Sequence, residues 1–184
     1  MVHTEVRDSP WSCRLQSTSD RCVNIHASCV LLADAGTAFG APRDAGILLL
    51  GQSGAGKSDI ALRMIERGAL LVTDDRAELF VHNGALSARP PARLAGLLEI
   101  FGMGIMKMHY AATADILLVV ILQQQRPERL PQQETYQPPR ELHVSSATLP
   151  PLIRINATEP SAVAKILAAA AAFRTNFTLS GQIT

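Results

Sequence analysis

The apolar residues of this chain fall into short continuous runs, which are separated by polar or glycine-rich stretches. Short apolar runs without alternation are typical of β-strands that are buried on both faces. On this basis the sequence predicts a β-like segment at 22–32 and strands at 46–50, 70–73, 116–122 and 152–155. The dipeptide Asn83–Gly84 separates the runs 77–81 and 85–88, and it is a strong signal for a hairpin turn.

Two segments have the spacing of helices rather than strands. Residues 58–67 carry apolar side chains at positions 60, 61, 64 and 65, which would give one face of a helix an apolar surface. Residues 161–173 are rich in alanine and follow a proline, which is favoured near the first turn of a helix. The order of strand, helix and strand, followed by more β segments, predicts an α/β fold with a mixed sheet.

The two ends of the chain and two internal stretches lack these patterns. We expect 1–20 to be a disordered tail and 174–184 to be a second tail, on either side of a single domain at 21–173. Residues 33–45 are predicted to form a loop. Residues 123–140, which are rich in Gln, Pro and Arg, predict a long and mobile connection.

Composition and charge exclude several classes of protein. The chain has 184 residues, 47% of them hydrophobic, so it can bury a core as an ordinary domain does. Its net charge of +1 provides no long-range field that would favour nucleic acid or an anionic membrane. Its longest apolar run, 116–122, is far shorter than the roughly 20 residues of a membrane span. With 3 cysteines in no metal or disulfide pattern and no signal peptide, a reduced cytoplasmic protein is expected.

The clearest chemical motif follows the predicted strand 46–50 and opens the predicted helix 58–67. It satisfies the phosphate-binding pattern G-x-x-x-x-G-K-[ST] with Gly51, Gln52, Ser53, Gly54, Ala55, Gly56, Lys57 and Ser58. In this setting backbone N–H groups and the helix N-terminus can hold phosphates, while Lys57 reaches the β- and γ-phosphates and Ser58 binds Mg²⁺. The alternative is a glycine-rich turn that binds no ligand.

A pair of acidic residues, Asp74 and Asp75, ends the predicted strand 70–73. If this strand lies parallel to and beside strand 46–50, both carboxylates reach the same sheet edge as the glycine-rich loop. One carboxylate could then hold Mg²⁺, and the other could accept a proton from an attacking hydroxyl. The alternative is a pair of aspartates that serves only a turn or a helix cap.

Glu99 and His26 are the remaining candidates. Glu99 lies in the apolar, glycine-containing stretch 97–108, and a buried, unpaired carboxylate is costly. We therefore expect a cation beside Glu99, either Mg²⁺ or an arginine in a structural ion pair. His26 lies in the β-like segment 22–32, where a histidine taken alone is more often a core residue than a catalytic one.

Three motifs follow one another along the chain. They are HASC from His26, then GQSGAGKSDIALRMIERGALLVTDD from Gly51 to Asp75, then LLEIFGMGI around Glu99. Together they resemble the catalytic domain of HPr kinase/phosphorylase, a bacterial enzyme that phosphorylates a serine of the phosphocarrier protein HPr. The resemblance continues more weakly to the C-terminal helix and covers about 22–173, in the manner of the short, single-domain members of the family.

The resemblance implies ATP and Mg²⁺ as cofactors and HPr as the protein partner. The loop 51–58 would bind the nucleotide, Lys57 would also serve catalysis, and Ser58 with Glu99 would hold Mg²⁺. It further implies a sheet core like that of phosphoenolpyruvate carboxykinase and assembly into hexamers, as in the long members of the family.

The resemblance also implies catalytic roles for four further residues. Asp75 resembles the proton acceptor of the kinase reaction, and Asp74 is its neighbour on the metal side. His26 resembles the catalytic histidine of the family, and this outweighs its interpretation as a core residue. Arg129 resembles a conserved arginine of the family.

The chain departs from the family pattern in two places. Phe101 stands where the family signature has an arginine, and 154–160 differ from the loop that is linked to dephosphorylation. Both differences bear on the phosphorylase activity. Two alternatives to a protein kinase remain: a small-molecule kinase, with 123–140 as a lid, and a non-catalytic nucleotide-binding regulator, which Phe101 favours but the retained acids do not.

Overall fold

The computed structural model of the chain describes residues 21–125, 127–129 and 131–174. Within this part, a nine-stranded sheet carries two helices, and two further strands form a separate hairpin. The strands are β1 (Val23–His26), β2 (Ser28–Leu31), β3 (Ala45–Leu50), β4 (Leu70–Thr73), β5 (Arg76–His82), β6 (Ala85–Arg89), β7 (Leu97–Ile100), β8 (Gly104–Lys107), β9 (Ala114–Gln123), β10 (Glu134–Thr135) and β11 (Pro151–Asn156). The helices are α1 (Lys57–Ile65) and α2 (Ala162–Arg174).

Most predicted elements lie close to their predicted positions. β3, β4, β9 and β11 form where the apolar runs predict strands, and α1 and α2 form where the spacing predicts helices. Asn83 and Gly84, with φ angles of 50° and 79°, make the turn between β5 and β6. The β-like segment 22–32 is divided into two strands at Ala27. The predicted tails lie outside the described residues, except for Arg174, which ends α2.

The sheet is mixed, as the sequence predicts. β9 pairs in parallel with β3 and with β11. The first residues of β9 pair with β6 in the antiparallel direction. The order of the main path is β1-β5-β6-β9-β3-β2-β4. The fold is therefore α/β and dominated by its sheet.

β4 is not the neighbour of β3, so the predicted adjacency of these two strands is wrong. β2 lies between them and pairs antiparallel with both. Two successive antiparallel pairings make β3 and β4 run in the same direction, so their carboxyl ends reach the same edge of the sheet. The loop after β3 and the aspartates after β4 therefore still meet there.

A bent ribbon, formed by residues 23–31 and 70–79, joins the two ends of the strand order. β1 pairs with β5 at one end, and β2 pairs with β4 at the other. Between these pairings, the N–H of Ala27 donates to the backbone oxygen of Asp75 at 3.2 Å, so the ladder continues through the bend. Asp75 has a φ of 64° and marks the bend on its strand.

Both faces of the central strand β3 are buried, which explains why its sequence is apolar without alternation. Ile47 and Leu49 belong to one core cluster, together with Ile60 and Met64 of α1, whereas Leu48 belongs to a second cluster. All five side chains are fully buried. The glycine-rich loop therefore connects a strand and a helix that share one packed core.

Two segments that are predicted to be irregular contain some regular structure. Residues 33–45 include the 3₁₀ turn Thr37–Phe39, and 123–140 include β10, which pairs with β11. The stretch 97–108 contains the hairpin of β7 and β8. Among the described residues, no helix is long and apolar enough to cross a membrane.

Candidate active site

The glycine-rich loop 51–58 leaves β3 and enters α1 in the arrangement that the sequence predicts. A Cβ on Gly51 would lie 2.9 Å from the backbone oxygen of Leu122, so a side chain there would displace the loop from β9. Gly56 has a φ of 90° immediately before the first residue of α1, a conformation that glycine adopts without steric cost. The residues at the top of the loop, Gln52, Ser53 and Gly54, are exposed.

Lys57 lies beneath this loop, with only 6% of its surface exposed. Its Nζ donates to the backbone oxygens of Gly51 and Gln52, both at 3.0 Å. Burial lowers the pKa of the ammonium group, and the nearby carboxylates of Asp74 and Asp75 oppose this effect. An ammonium group has three N–H donors, so the two bonds leave one donor for a bound anion.

Asp74 is the centre of the hydrogen-bond network beside the loop, and it is 4% exposed. Its Oδ1 accepts from Ser28 Oγ at 2.5 Å and from Ser58 Oγ at 2.9 Å. Its Oδ2 lies 3.0 Å from Ser58 Oγ and accepts from the backbone N–H of Glu99 at 3.2 Å. The expected meeting of the aspartate pair with the loop is thus confirmed for Asp74 and Ser58.

Asp75 and His26 form a second pair at the bend of the ribbon. His26 Nδ1 lies 3.1 Å from Oδ1 of Asp75 and 2.9 Å from its backbone oxygen. Both partners are acceptors, so the hydrogen-bond network assigns the proton to Nδ1. The side chain of Asp75 is 62% exposed, which makes it accessible to a hydroxyl group from solution. The loop 33–45, which lies between His26 and the glycine-rich loop along the chain, therefore does not separate His26 from Asp75.

Glu99 does not match its predicted environment. Its side chain is exposed on β7, so the expectation of a buried carboxylate that needs a cation is wrong. The hairpin of β7 and β8 lies outside the main sheet, and this explains why an apolar sequence can leave an acid in solvent. The contact of Glu99 with Asp74 is made by its backbone N–H, and its role as a Mg²⁺ ligand stays a prediction.

Arg129 is exposed, and among the described residues it makes no hydrogen bond or ion pair with the loop or with the aspartates. Its predicted role likewise stays a prediction.

The sequence analysis assigns no role to Ser28 or to Arg63. Ser28 is a hydroxyl residue inside an apolar strand, two positions after His26, which is a signal that could have found it. Arg63 of α1 donates to the backbone oxygens of Ala157 and Pro160, both at 3.2 Å.

The donors at the end of the loop fit a magnesium ion that is held together with phosphate. The Ser58 hydroxyl and the Asp74 carboxylate offer only oxygen, which is the ligand atom that Mg²⁺ prefers. In the part of the chain that the structure describes, no three His, Cys, Asp or Glu side chains could hold a metal together. Mg²⁺ is usually bound by one or two protein groups together with phosphates and water, and Ser58 and Asp74 could supply such groups.

Comparisons with known proteins place the chain in a family. The family model described as HPr Serine kinase C-terminal domain matches residues 43–180. The HPr kinase/phosphorylase of Clostridium kluyveri is 32% identical over 135 residues, which are 67% of this chain and 44% of that protein. The enzyme of the same name from Clostridium beijerinckii is 48% identical over 60 residues, 33% of this chain and 20% of that protein.

A solved structure has the same fold. The structure of the Hpr(Ser) kinase/phosphatase from Coxiella burnetii matches with a TM-score of 0.62 and 20% sequence identity, over 84% of this chain and 97% of that one. The chain spans less than half the length of the curated relatives named above. The region 43–180, which the family model matches, includes the glycine-rich loop, both aspartates and Glu99. The chain therefore belongs to the family of HPr serine kinase C-terminal domains.

Proposed function

We propose that this chain is an ATP- and Mg²⁺-dependent protein kinase that phosphorylates a serine of HPr. The observation that carries the proposal is the meeting of two pairs at one sheet edge. Ser58 of the loop contacts Asp74, and His26 contacts the adjacent Asp75. One pair is suited to hold a metal–phosphate complex, and the other is suited to take a proton from the acceptor.

The loop 51–58 binds the phosphates of ATP in this proposal. Its backbone N–H groups and the N-terminus of α1 favour negative charge, and Lys57 supplies the remaining N–H donor of its ammonium group. Ser58 and Asp74 hold Mg²⁺, with Glu99 as a further ligand, and the ion neutralises charge on the phosphates when it is bound.

Asp75 accepts the proton of the serine hydroxyl as that oxygen bonds to the γ-phosphorus. The bond between this phosphorus and the bridging oxygen of ADP breaks in the same transfer, and ADP leaves. His26 keeps the Asp75 carboxylate in position, and Arg129 assists from the exposed segment 127–129. Positioning and charge neutralisation account for most of the catalysis of phosphoryl transfer.

The exposed hairpin favours a protein acceptor over a small molecule. Phe101, Met103 and Ile105 are exposed by 103%, 73% and 72%, and the hairpin is joined to the site by the N–H of Glu99 on Asp74. Apolar side chains beside the reacting groups suit the surface of a protein such as HPr. A regulator that only binds nucleotide has no need of Asp75 and His26. We therefore favour the kinase over the regulator.

The relatives are named for two activities, and our proposal covers the kinase half. Phe101 and the 154–160 segment differ from the family pattern in the features linked to the phosphorylase half. We further propose a cytoplasmic location, in keeping with the free cysteines Cys22 and Cys29, and assembly with copies of itself into hexamers. The likeness of the sheet core to phosphoenolpyruvate carboxykinase belongs to the same proposal.

The test is transfer of label from γ-labelled ATP to purified HPr. A matched HPr variant, in which alanine replaces the acceptor serine, is the control. We expect labelling of HPr that requires Mg²⁺ and is lost in the control. Binding of Mg²⁺–ATP without labelling of HPr would contradict the kinase assignment and favour the regulator or the small-molecule kinase.

A further inference from the structure

Ser28 is a buried hydroxyl residue at the candidate site to which the proposed chemistry gives no role. It is the first residue of β2 and has no exposed surface. Its Oγ donates to Oδ1 of Asp74 at 2.5 Å, across the bent ribbon. The same oxygen of Asp74 lies 2.9 Å from Ser58 Oγ, so two hydroxyl groups from different elements meet on one carboxylate oxygen.

The proton of Ser58 explains why the orientation of Asp74 matters. A serine hydroxyl has one proton to donate and two lone pairs to offer. When Asp74 accepts the proton, the lone pairs of Ser58 are left for a cation, and if the carboxylate rotates away this orientation is lost. Groups that hold a metal ligand in place from behind typically change metal affinity by about 10- to 100-fold when they are removed.

We propose that Ser28 is a positioning residue for the metal site. It holds the Asp74 carboxylate so that Asp74 accepts the proton of Ser58 and directs the Ser58 oxygen to Mg²⁺. The assignment rests on the proposed function insofar as it requires Mg²⁺ to bind with a nucleotide at Ser58. Ser28 itself touches neither metal nor substrate and acts through Asp74.

A second serine–aspartate pair in the chain offers a matched control. Ser87 also has no exposed surface, and its Oγ donates to Oδ1 of Asp115 at 2.5 Å. Asp115 pairs with Ala45 at the beginning of β3, whereas the glycine-rich loop follows the end of β3. Ser87→Ala therefore removes the same kind of hydrogen bond at the opposite end of that strand.

The experiment compares Ser28→Ala with Ser87→Ala by calorimetry. ADP is titrated into each protein without Mg²⁺, and Mg²⁺ is then titrated into the protein saturated with ADP. For Ser28→Ala we expect the affinity for Mg²⁺ to fall about tenfold, while the affinity for metal-free ADP stays within about twofold. Ser87→Ala should bind both as the wild type does. A merely structural loss would lower both affinities or neither.

Equal affinities for Mg²⁺ in the two variants would overturn the assignment of Ser28 while leaving the proposed function intact. Failure of the wild type to bind Mg²⁺ and ADP together would overturn the proposed function, and the assignment with it. If Ser28→Ala does not fold, Ser28→Cys fills the space that alanine leaves and replaces the hydroxyl group with a larger thiol that is a much weaker donor. We expect that variant to lose Mg²⁺ affinity as well, and wild-type affinity would overturn the assignment.

Discussion

His26 holds Asp75 at two points, because its Nδ1 is 3.1 Å from the carboxylate and 2.9 Å from the backbone oxygen of the same residue. The contact crosses the bent ribbon where Asp75 takes a φ of 64°. Such a left-handed conformation is uncommon outside glycine, although Asp and Asn adopt it more readily than other residues. The backbone and the imidazole together fix where the exposed carboxylate lies.

Asp75→Asn should remove most of the phosphoryl transfer and leave nucleotide binding intact. The amide cannot accept the serine proton, and a general base typically contributes about 10²- to 10⁴-fold to a rate. Asparagine tolerates the left-handed conformation, so this variant changes the chemistry without straining the bend. Alanine at the same position would strain the bend. The measurement is the initial rate of HPr labelling beside the affinity for ADP. Transfer at the wild-type rate would exclude Asp75 as the base.

His26→Gln should lower kcat for HPr labelling by about 10- to 100-fold, with KM for ATP little changed. Displacing a reacting group by about 1 Å can cost about 10²-fold, and His26 is the group that fixes Asp75. His82→Gln is a suitable control, because His82 Nδ1 also faces an aspartate, at 3.8 Å from Oδ1 of Asp115. An equal loss of kcat in the two variants would argue against a positioning role for His26.

The local part of the site could be predicted from the sequence. The glycine pattern between an apolar run and a helical pattern defines the loop, and these signals depend on neighbouring residues only. Asp74 and Asp75 could be placed at the same edge because strands that run in one direction end together. The prediction survived even though β2 separates β3 from β4, since two antiparallel pairings restore the direction.

The long-range part could not be predicted. The ladder that sets Ser28 beside Asp74 joins distant segments, because these two residues are 46 positions apart in the sequence. No local pattern encodes such pairing. The exposure of Glu99 has a similar origin. Its apolar neighbours suggest a core strand, but β7 and β8 pair only with each other outside the main sheet.

The affinity for ADP should fall at high pH because of Lys57. Burial lowers the pKa of its ammonium group from the ordinary value of 10.5, and bound phosphate favours the charged form. Above the lowered pKa the empty site loses its proton, so the affinity should decline, by up to about tenfold per pH unit. Because the unfolded chain holds this proton more tightly, the empty protein should gain stability as the pH rises through the window below 10.5.

Calorimetric titration of ADP between about pH 7 and about pH 10 measures the decline in the affinity for ADP. Lys57→Arg is the control, since a guanidinium group stays charged over the whole range. We expect weaker but nearly constant binding in that variant. The same decline with pH in both proteins would assign it to a group other than Lys57.

Phe101→Ser should weaken the use of HPr without affecting the nucleotide. Phe101 is fully exposed at the turn of the hairpin, so its removal should change the free energy of unfolding very little. An aromatic side chain at a protein interface commonly contributes enough to change affinity about tenfold. We therefore expect KM for HPr to rise about tenfold, with kcat at saturating HPr and the affinity for ADP unchanged.

Phe39→Ser is the control. It replaces a half-exposed phenylalanine of the 3₁₀ turn Thr37–Phe39 and should leave KM for HPr unchanged. An unchanged KM in Phe101→Ser, together with a smaller assembly in solution, would instead assign the hairpin to contacts between copies of the chain.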